Sequence, residues 1–276
     1  MIRFSFQTTA GRAENRTVCT ILAEGTGLSK LRVKDAMQKG AVWLTRTGSG
    51  ERRLRRAQAV PRPGDGLAIH YDAELLARVP PAAVCRHDEG RFSVWFKPAG
   101  LMTQGSRYGD HCSLLRQAEL FLRPGRQALP VHRLDREAAG LVMIAHDRPS
   151  AGALSRMFAE RRIVKRYRAE LRGRAGPESS AGRIDLPLDG RAATTEYRVV
   201  RYDPATDTSL VDVVMRTGRR HQLRRHFAIA GFPVMGDPRY GENNKNNDGL
   251  KLTAWGLEFA CPFSGRPRVF QLELSP

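Results

Sequence analysis

The sequence predicts an α+β protein with one large domain and one small N-terminal domain. At 276 residues, the chain is longer than most single domains but too short for three. Strand patterns outnumber helix patterns and do not alternate regularly with them, which favours a mixed, largely antiparallel sheet flanked by helices and loops. The prolines of the stretch 79–82 mark a stiff linker. We therefore expect an N-terminal segment 1–78 with an α+β core at about 26–72, a linker at 79–83 and a second domain at 84–276.

Within the first domain, apolar residues at helical spacing predict a short basic helix over 28–37 that ends at Gly40. Its basic face carries Lys30 and Lys34. A strand is expected at 41–44 and a turn at 48–50. A second turn at 63–66 leads into an alternating strand at 67–71. Between these elements lies a cluster of arginines, namely Arg52, Arg53, Arg55 and Arg56.

The second domain is expected to contain more strands than helices. Helices are predicted at 113–121, with Ser113 as its N-cap, at 151–160 after Pro149, and at 219–230. The predicted strands are 91–96, 140–145, 164–171, 196–201, 210–215 and 252–259, and the asparagine-rich stretch 241–249 is expected to be a surface loop.

The chain is strongly basic, with 46 lysines and arginines against 28 acidic residues and a net charge of +18. Only seven of these cations are lysines and 39 are arginines, whose planar guanidinium suits phosphate recognition and base stacking. A GC-rich genome would explain the arginine-to-lysine ratio but not the excess of positive charge. The balance therefore points to nucleic acid as the partner.

Other classes of protein find little support in the sequence. No stretch approaches the roughly 18 apolar residues of a membrane span, and the stretch 1–11 lacks the apolar core of a secretory signal, so a cytoplasmic protein is expected. The four cysteines are scattered without a C-x-x-C pair, and the histidines form no H-E-x-x-H. A metal site is therefore not expected.

Three stretches combine residues that could carry chemistry. The stretch 132–135 (His-Arg-Leu-Asp) precedes a glycine and an apolar strand, so Asp135 would project from a loop entering the sheet. A carboxylate among arginines stays ionised, although an Asp in this setting is more often part of a surface ion pair. The second stretch, 217–226, puts arginines at the start of a helix, with Arg220 and Arg224 on one face, which suits phosphate or a solvated basic surface. In the third, 165–169, alternation puts Tyr167 beside Lys165 on one strand face, where it could stack on a base or simply pack.

Taken together and in this order, these stretches resemble the RluA-type RNA pseudouridine synthases. The matching residues are 97–101 (Lys-Pro-Ala-Gly-Leu), 132–135 with 140–141, the Lys-x-Tyr-x-Ala of 165–169, the Thr-Gly-Arg-x-His-Gln-Leu-Arg-x-His of 217–226, Gly231, and the Gly-Asp-x-x-Tyr-Gly of 236–241. The resemblance spans about 84–270. In addition, the first domain resembles the alpha-L RNA-binding domain of a small ribosomal-subunit protein.

The resemblance implies isomerisation of uridine to pseudouridine in ribosomal or transfer RNA by a cytoplasmic monomer without a cofactor or metal. It implies that Asp135 is the catalytic carboxylate, that Arg224 pairs with it, and that Tyr167 stacks on the target base and assists the later loss of a proton. The uridine would have to flip out of its stack, and Arg133 would fill the space it leaves. The expected RNA contacts are Arg133, His132, Lys97, Arg220, His221, Gln222, Arg52, Arg53, Arg55, Lys30 and Lys34.

The chain departs from the family pattern at Ala138 and Ala139, where the family usually has Thr-Ser. The missing hydroxyls bear on the rigidity of the Asp135 loop and on substrate choice. They also keep open an alternative function, a non-catalytic RNA-binding or ribosome-assembly factor. A glycoside hydrolase would need a second carboxylate roughly 5–9 Å from Asp135, and Glu137, the nearest in sequence, is expected to face away.

Overall fold

The computed structural model describes residues 2–11, 15–46 and 48–274, and over these ranges it contains 14 strands and six helices. The strands form one four-stranded and one ten-stranded sheet, so the predicted α+β class is confirmed. Met1, the first residue of the stretch 1–11 that lacks the apolar core of a secretory signal, lies outside the described residues.

The helices are α1 (Val18–Thr26), α2 (Lys30–Gln38), α3 (Ala73–Ala77), α4 (Leu114–Phe121), α5 (Arg148–Ala159) and α6 (Gln222–Ile229). The strands are β1 (Arg3–Thr9), β2 (Val42–Arg46), β3 (Ser49–Arg53), β4 (Gly66–Asp72), β5 (Val84–Asp88), β6 (Phe92–Lys97), β7 (Leu129–Pro130), β8 (Ala139–Ala145), β9 (Val164–Arg172), β10 (Ala181–Asp185), β11 (Thr194–Asp203), β12 (Thr208–Met215), β13 (Leu252–Ala260) and β14 (Pro267–Gln271).

The chain divides into two compact units. The first consists of Met1–Pro80 with Gln104–Gln117, and the second of Pro81–Thr103 with Ala118–Pro276. The main division between Pro80 and Pro81 falls inside the stretch that the sequence marks as a linker. The segment Gln104–Gln117 differs from expectation, because the sequence assigned it to the range 84–276 and the structure places it in the first unit.

The first unit is an antiparallel sheet of order β1-β4-β2-β3 with its own apolar core. Two elements precede the core range 26–72 that the sequence predicted. Strand β1 pairs with β4 along its whole length, and Phe4 and Phe6 pack against the core. Helix α1 begins after Thr17, whose hydroxyl accepts from the Thr20 N–H at 3.3 Å, and ends at Gly27 in a left-handed conformation. The first unit therefore extends nearly to the N-terminus.

The segment Gln104–Gln117 joins the first unit through backbone and charged contacts. The Asp110 N–H donates to the Lys39 carbonyl at 2.9 Å, and the Trp43 indole N–H donates to the Arg107 carbonyl at 2.9 Å. Arg107 in turn forms a two-pronged ion pair with Glu51. Sequence patterning marks periodic elements, and this segment is mostly irregular, so only the tertiary contacts reveal which unit it belongs to.

The second unit is built on a sheet of order β10-β11-β12-β9-β13-β8-β6-β5, with β14 beside β13 and β7 beside β8. Every pairing in it is antiparallel except that of β13 with β8. That parallel junction is short and joins Ala139 and Gly140 of β8 to β13. Gly140 has φ +127°, and a Cβ there would lie 2.2 Å from the Ala254 carbonyl oxygen. Glycine at this position is what lets the chain that follows Asp135 enter the sheet between two strands.

Helix α6 is shorter than predicted. It begins at Gln222 rather than at 219, because His221 takes the left-handed conformation at φ +51° and breaks the helix there. Arg220 consequently lies outside the helix and is exposed, whereas Arg224 points inward and is 2% exposed. The prediction that these two arginines share one helix face is therefore wrong.

Candidate active site

The loop that carries Asp135 is held by hydrogen bonds to the chain between β6 and α4. The Thr103 hydroxyl donates to the Leu134 carbonyl at 2.8 Å and accepts from the Leu134 N–H at 3.1 Å. The Gly100 N–H donates to the Arg136 carbonyl at 2.8 Å. These bonds fix the backbone on both sides of Asp135 and use no side chain from Ala138 or Ala139.

Lys97 lies beneath this loop and is fully buried. Its ammonium donates to the carbonyls of Pro98, Leu101 and Arg136 at 3.0, 2.8 and 3.3 Å. Burial lowers the pKa of Lys97 to about 8, against the opposing effect of Glu137 and Asp135. The structure therefore contradicts the prediction of an RNA contact at Lys97, since its three donors are already used to hold the loop.

Arg224 reaches Asp135 from α6 and is almost completely buried. Its Nη1 lies 3.2 Å from Asp135 Oδ2, while its Nε and Nη2 each donate to Asp237 at 2.7 Å. Burial alone would lower the pKa of Arg224, but the hydrogen bonds and charge of Asp237, and then those of Asp135, raise it above its ordinary value. The guanidinium thus stays charged and orients the Asp135 carboxylate.

Asp237 anchors this arginine and was not among the site residues that the sequence predicted. It is fully buried, and its Oδ1 also accepts from the backbone N–H groups of Arg239 and Tyr240 at 2.8 and 3.1 Å. Burial would raise the pKa of Asp237, but Arg224 and these two N–H groups hold it below its ordinary value. Its sequence signal was the Gly-Asp-x-x-Tyr-Gly match of 236–241, to which no role was assigned.

Glu137 was expected to face away, and the structure shows the opposite. Its Oε2 lies 3.3 Å from the same Arg224 Nη1 that meets Asp135. Burial would raise the pKa of Glu137, but its own backbone N–H, Arg136 and Arg224 lower it, so the group is ionised. The direction of Glu137 could not be predicted from the sequence, because residues 135–137 belong to no helix or strand and follow no periodic pattern.

His221 contacts Asp135 from the opposite side. Its Nε2 is 3.6 Å from Asp135 Oδ1, and its Nδ1 forms a 3.0 Å hydrogen bond with the Tyr240 hydroxyl. Burial lowers the pKa of His221 more than the charge of Asp135 raises it. The imidazole is therefore mainly neutral at neutral pH and completes the ring of polar groups around the carboxylate.

Tyr167 lies on β9 with the orientation that alternation predicted. Tyr167 and Ala169 are buried, whereas Arg166 and Arg168 form ion pairs with Glu258 and Asp212. Burial, assisted by the charge of Asp135, raises the pKa of Tyr167, so its hydroxyl keeps its proton at neutral pH. Asp135, Tyr167 and Arg224 are far apart in the sequence, and the structure brings these three predicted site residues together in the second unit.

Asp135 and Tyr167 line a cleft of about 860 Å³. Asp135 is the one carboxylate among the described residues that line it, and Tyr167 forms part of its wall. The cationic lining residues are Arg133, Arg161, Lys165, Arg216, Arg219 and Arg220. Such a lining attracts a polyanion while presenting one anionic group to it.

Two further predicted RNA contacts are engaged within the protein. The His132 Nε2 accepts from the Met143 N–H at 2.8 Å, its ring stacks on Phe158, and burial lowers its pKa to about 3. His132 lines the cleft as a neutral ring and is not a cation. Gln222 is buried, and its amide bonds to Thr194, Thr195 and Thr217. Its role as an RNA contact is therefore corrected to a structural one.

The predicted basic residues of the first unit fall into two groups. Arg53 stacks over Trp43 and pairs with Asp110 at 3.1 Å, and Arg55 pairs with the same carboxylate. These two hold the segment Gln104–Gln117 and are not free for RNA. Lys30, Lys34 and Arg52 are exposed as expected, and Arg52 lines a cavity of about 390 Å³ together with Arg46 and Arg56.

Within the described ranges, no helix is long and apolar enough to cross a membrane. No group of three or more metal-binding side chains was found among the same residues. All four cysteines are free thiols.

Comparisons with known proteins agree on one family. A family model for RNA pseudouridylate synthases matches residues 91–229. An uncharacterized RNA pseudouridine synthase of Aquifex aeolicus is 30% identical over 283 residues, covering 89% of this chain and 85% of its own. The dual-specificity RNA pseudouridine synthase RluA of Escherichia coli is 34% identical over 209 residues, covering 69% and 93%. The solved structure of human RNA pseudouridylate synthase domain containing 1 has a similar fold, with a TM-score of 0.58 at 24% identity over 71% of this chain and 86% of its own.

Proposed function

Because the chain belongs to the RluA-type RNA pseudouridine synthases, we propose that Asp135 is the carboxylate with which it converts uridine to pseudouridine. The observation that carries this assignment is the position of Asp135 as the single carboxylate among the described residues lining a cationic cleft, held by the buried Arg224. A carboxylate costs affinity for a polyanion, and its presence there is explained if it reacts with the substrate.

The geometry suits a reaction at the ribose of a flipped uridine. A carboxylate can attack C1′ or remove a ribose proton, and either step lets the glycosidic bond break. The uracil then turns and rejoins through C5. Because the target atom is inaccessible in a stacked helix, the nucleotide must leave its stack, and we expect the exposed Arg133, which lines the cleft, to fill the gap. Tyr167, protonated and part of the cleft wall, would stack on the base and help the later proton removal.

We assign ribosomal or transfer RNA as the substrate class. One similar protein is named as a dual-specificity enzyme and another as acting on the large ribosomal subunit. The enzyme would act as a monomer in the cytoplasm, a compartment that suits its four free thiols. Pseudouridine mapping of total RNA tests this assignment. A strain that lacks the gene should lose at least one pseudouridine, which the wild-type gene restores, and an unchanged map would contradict the proposal.

We further propose that the first unit binds RNA through the surface around Arg52. The supporting observation is the cavity lined by Arg46, Arg52 and Arg56, of which Arg52 and Arg56 are exposed. Arg53 and Arg55 would support this surface indirectly, through their contacts with Asp110.

Changing both Arg52 and Arg56 to alanine should weaken RNA binding and flatten its salt dependence. Each lost phosphate contact removes about 0.7 from the log–log slope for single strands, so two should remove up to about 1.4. The slope is measured by filter binding of an unmodified ribosomal RNA transcript over a salt series. Arg3→Ala, on β1 at the other edge of the same sheet, is the matched control and should leave the slope unchanged. Equal slopes for the double variant and the control would show that this surface does not bind RNA.

A further inference from the structure

Two carboxylates share one nitrogen of a buried arginine beside the reacting group. Arg224 Nη1 lies 3.2 Å from Asp135 Oδ2 and 3.3 Å from Glu137 Oε2. The other two nitrogens of the guanidinium, Nε and Nη2, are both taken by Asp237. Nη1 carries two hydrogens, so it can serve both Asp135 and Glu137 at once. With 2% of its surface exposed, the guanidinium has almost no access to water.

The proposed reaction removes the charge from one of these two carboxylates. If Asp135 attacks C1′, an ester bond forms while the C1′–N1 bond breaks and its electron pair leaves with the uracil. When C5 then bonds to C1′, the ester bond breaks, its electron pair returns to Asp135, and the C5 proton is lost. If Asp135 instead removes a ribose proton, its carboxylate also becomes neutral until it gives the proton back. Along either route, Arg224 temporarily loses an anionic partner at Nη1.

Asp237 keeps Nε and Nη2 of Arg224 throughout, but the buried Nη1 would be left without an acceptor, and a buried donor without a partner is costly unless another acceptor remains. Glu137 is such an acceptor, since it touches the same nitrogen. It does not line the cleft, so it is not placed to contact the substrate. The charged groups that face Glu137 are Arg136, 3.2 Å away, Arg224, and the ammonium of Lys97 beneath the loop.

We propose that Glu137 is a positioning residue that keeps Arg224 paired and in place while Asp135 is engaged with the substrate. This inference rests on the proposed role of Asp135. It assigns the two carboxylates different tasks, since Asp135 reacts and Glu137 holds the arginine. It also predicts that Glu137 matters more in the reacting state than in the resting enzyme, where both Asp135 and Asp237 already pair with Arg224.

The test is Glu137→Gln in the full chain, assayed with ribosomal and transfer RNA transcripts that carry tritium at uracil C5. Bond formation at C5 releases the tritium. We expect kcat to fall about 10–100-fold with KM little changed, because the amide can still accept from Nη1 but no longer supplies the negative charge that Arg224 needs in the reacting state. The matched control is Glu258→Gln, which removes a carboxylate from its two-pronged pair with Arg166. It should keep kcat within about twofold, as for other partly exposed ion pairs.

A second measurement separates action through Arg224 from a purely structural role. In an Arg224→Gln background, or in Arg224→Met if the former does not fold, Glu137→Gln should lower kcat much less than it does in the wild type, because neither replacement leaves a cation for Glu137 to pair with. An equal loss in both backgrounds would overturn the inference, as would a kcat for Glu137→Gln within twofold of the control. Absence of tritium release from the wild type would instead overturn the proposed function, and this inference with it.

Discussion

Asp135→Asn is expected to abolish pseudouridine formation while the protein remains folded and binds RNA. The amide has nearly the same shape and can still accept from Arg224 Nη1, but it carries no charge with which to attack C1′ or take a ribose proton. We expect turnover to fall at least about 100-fold, the lower range for losing a reacting acid or base. Tritium release from C5-labelled RNA measures turnover, and filter binding measures affinity, which should stay within about threefold because only one of many contacts changes.

The control for this variant is Asp212→Asn. Asp212 forms a two-pronged ion pair with Arg168 between neighbouring strands and does not line the cleft. The Asp212→Asn variant loses the same charge as Asp135→Asn, in the same unit, and should keep the turnover of the wild type. If Asp135→Asn retained turnover comparable to that of Asp212→Asn, Asp135 could not be the reacting carboxylate.

Asp237→Asn is expected to give the largest loss of stability. It breaks an ion pair whose two side chains are 2% and 1% exposed, and it leaves the Arg224 charge facing an amide NH₂ group. Breaking a buried pair from one side lowers the free energy of unfolding by about 3–5 kcal/mol. Turnover should fall as well, because Arg224 would no longer be oriented toward Asp135. Urea unfolding at neutral pH measures the first effect, and tritium release measures the second.

The loss of stability caused by Asp237→Asn should be larger at neutral pH than at acidic pH. Folding lowers the pKa of Asp237, so its ionised form stabilises the protein at pH values above the ordinary aspartate pKa of 3.8, and that stabilisation is lost as pH falls through its lower folded value. The difference in stability between wild type and Asp237→Asn should therefore be full at neutral pH and shrink below about pH 4. Asp212→Asn again serves as control and should cost less than about 1 kcal/mol. A similar cost for both variants at neutral pH would show that burial of the Arg224–Asp237 pair contributes nothing.

Several regular elements of the chain followed from local patterns. Periods of two and of about 3.6 residues located β6, β9, β11, β12, β13, α4 and α5 close to their observed bounds. At α4, even the cap was predictable, since the Arg116 N–H donates to Ser113 Oγ at 3.3 Å. The elements β1, α1 and β10 were not predicted, although Phe4 and Phe6 alternate with polar residues in β1 and α1 has caps at Thr17 and Gly27. The two strands pair with β4 and β11, and β4 lies more than 50 residues from β1 in the chain.

The residues that we propose as catalytic were predictable as a set only because three separate stretches resemble one family in their residues and order. Taken singly, a carboxylate between arginines, a tyrosine on a strand and an arginine on a helix are each compatible with a structural role. Their convergence depends on pairings around β13, where Ala254 lies opposite Gly140 of β8 on one side and Tyr167 of β9 on the other, and on Arg224, which reaches Asp135 from α6. The pairing of β13 with β8 joins residues more than 100 positions apart, which no local pattern reports.

The sequence by itself determined the family, the fold class and the strongly basic character of the chain, because these depend on residue type and order. Only the tertiary structure decided which polar and charged side chains are accessible to RNA and which are bonded within the protein. Lys97, Gln222, Arg53 and Arg55 looked like RNA contacts but are bound to carbonyls, hydroxyls and Asp110, while Glu137 and Asp237 proved to be partners of Arg224. The physical reason is that the role of a charged side chain is set by its burial and its nearest partner, and both depend on how distant parts of the chain pack.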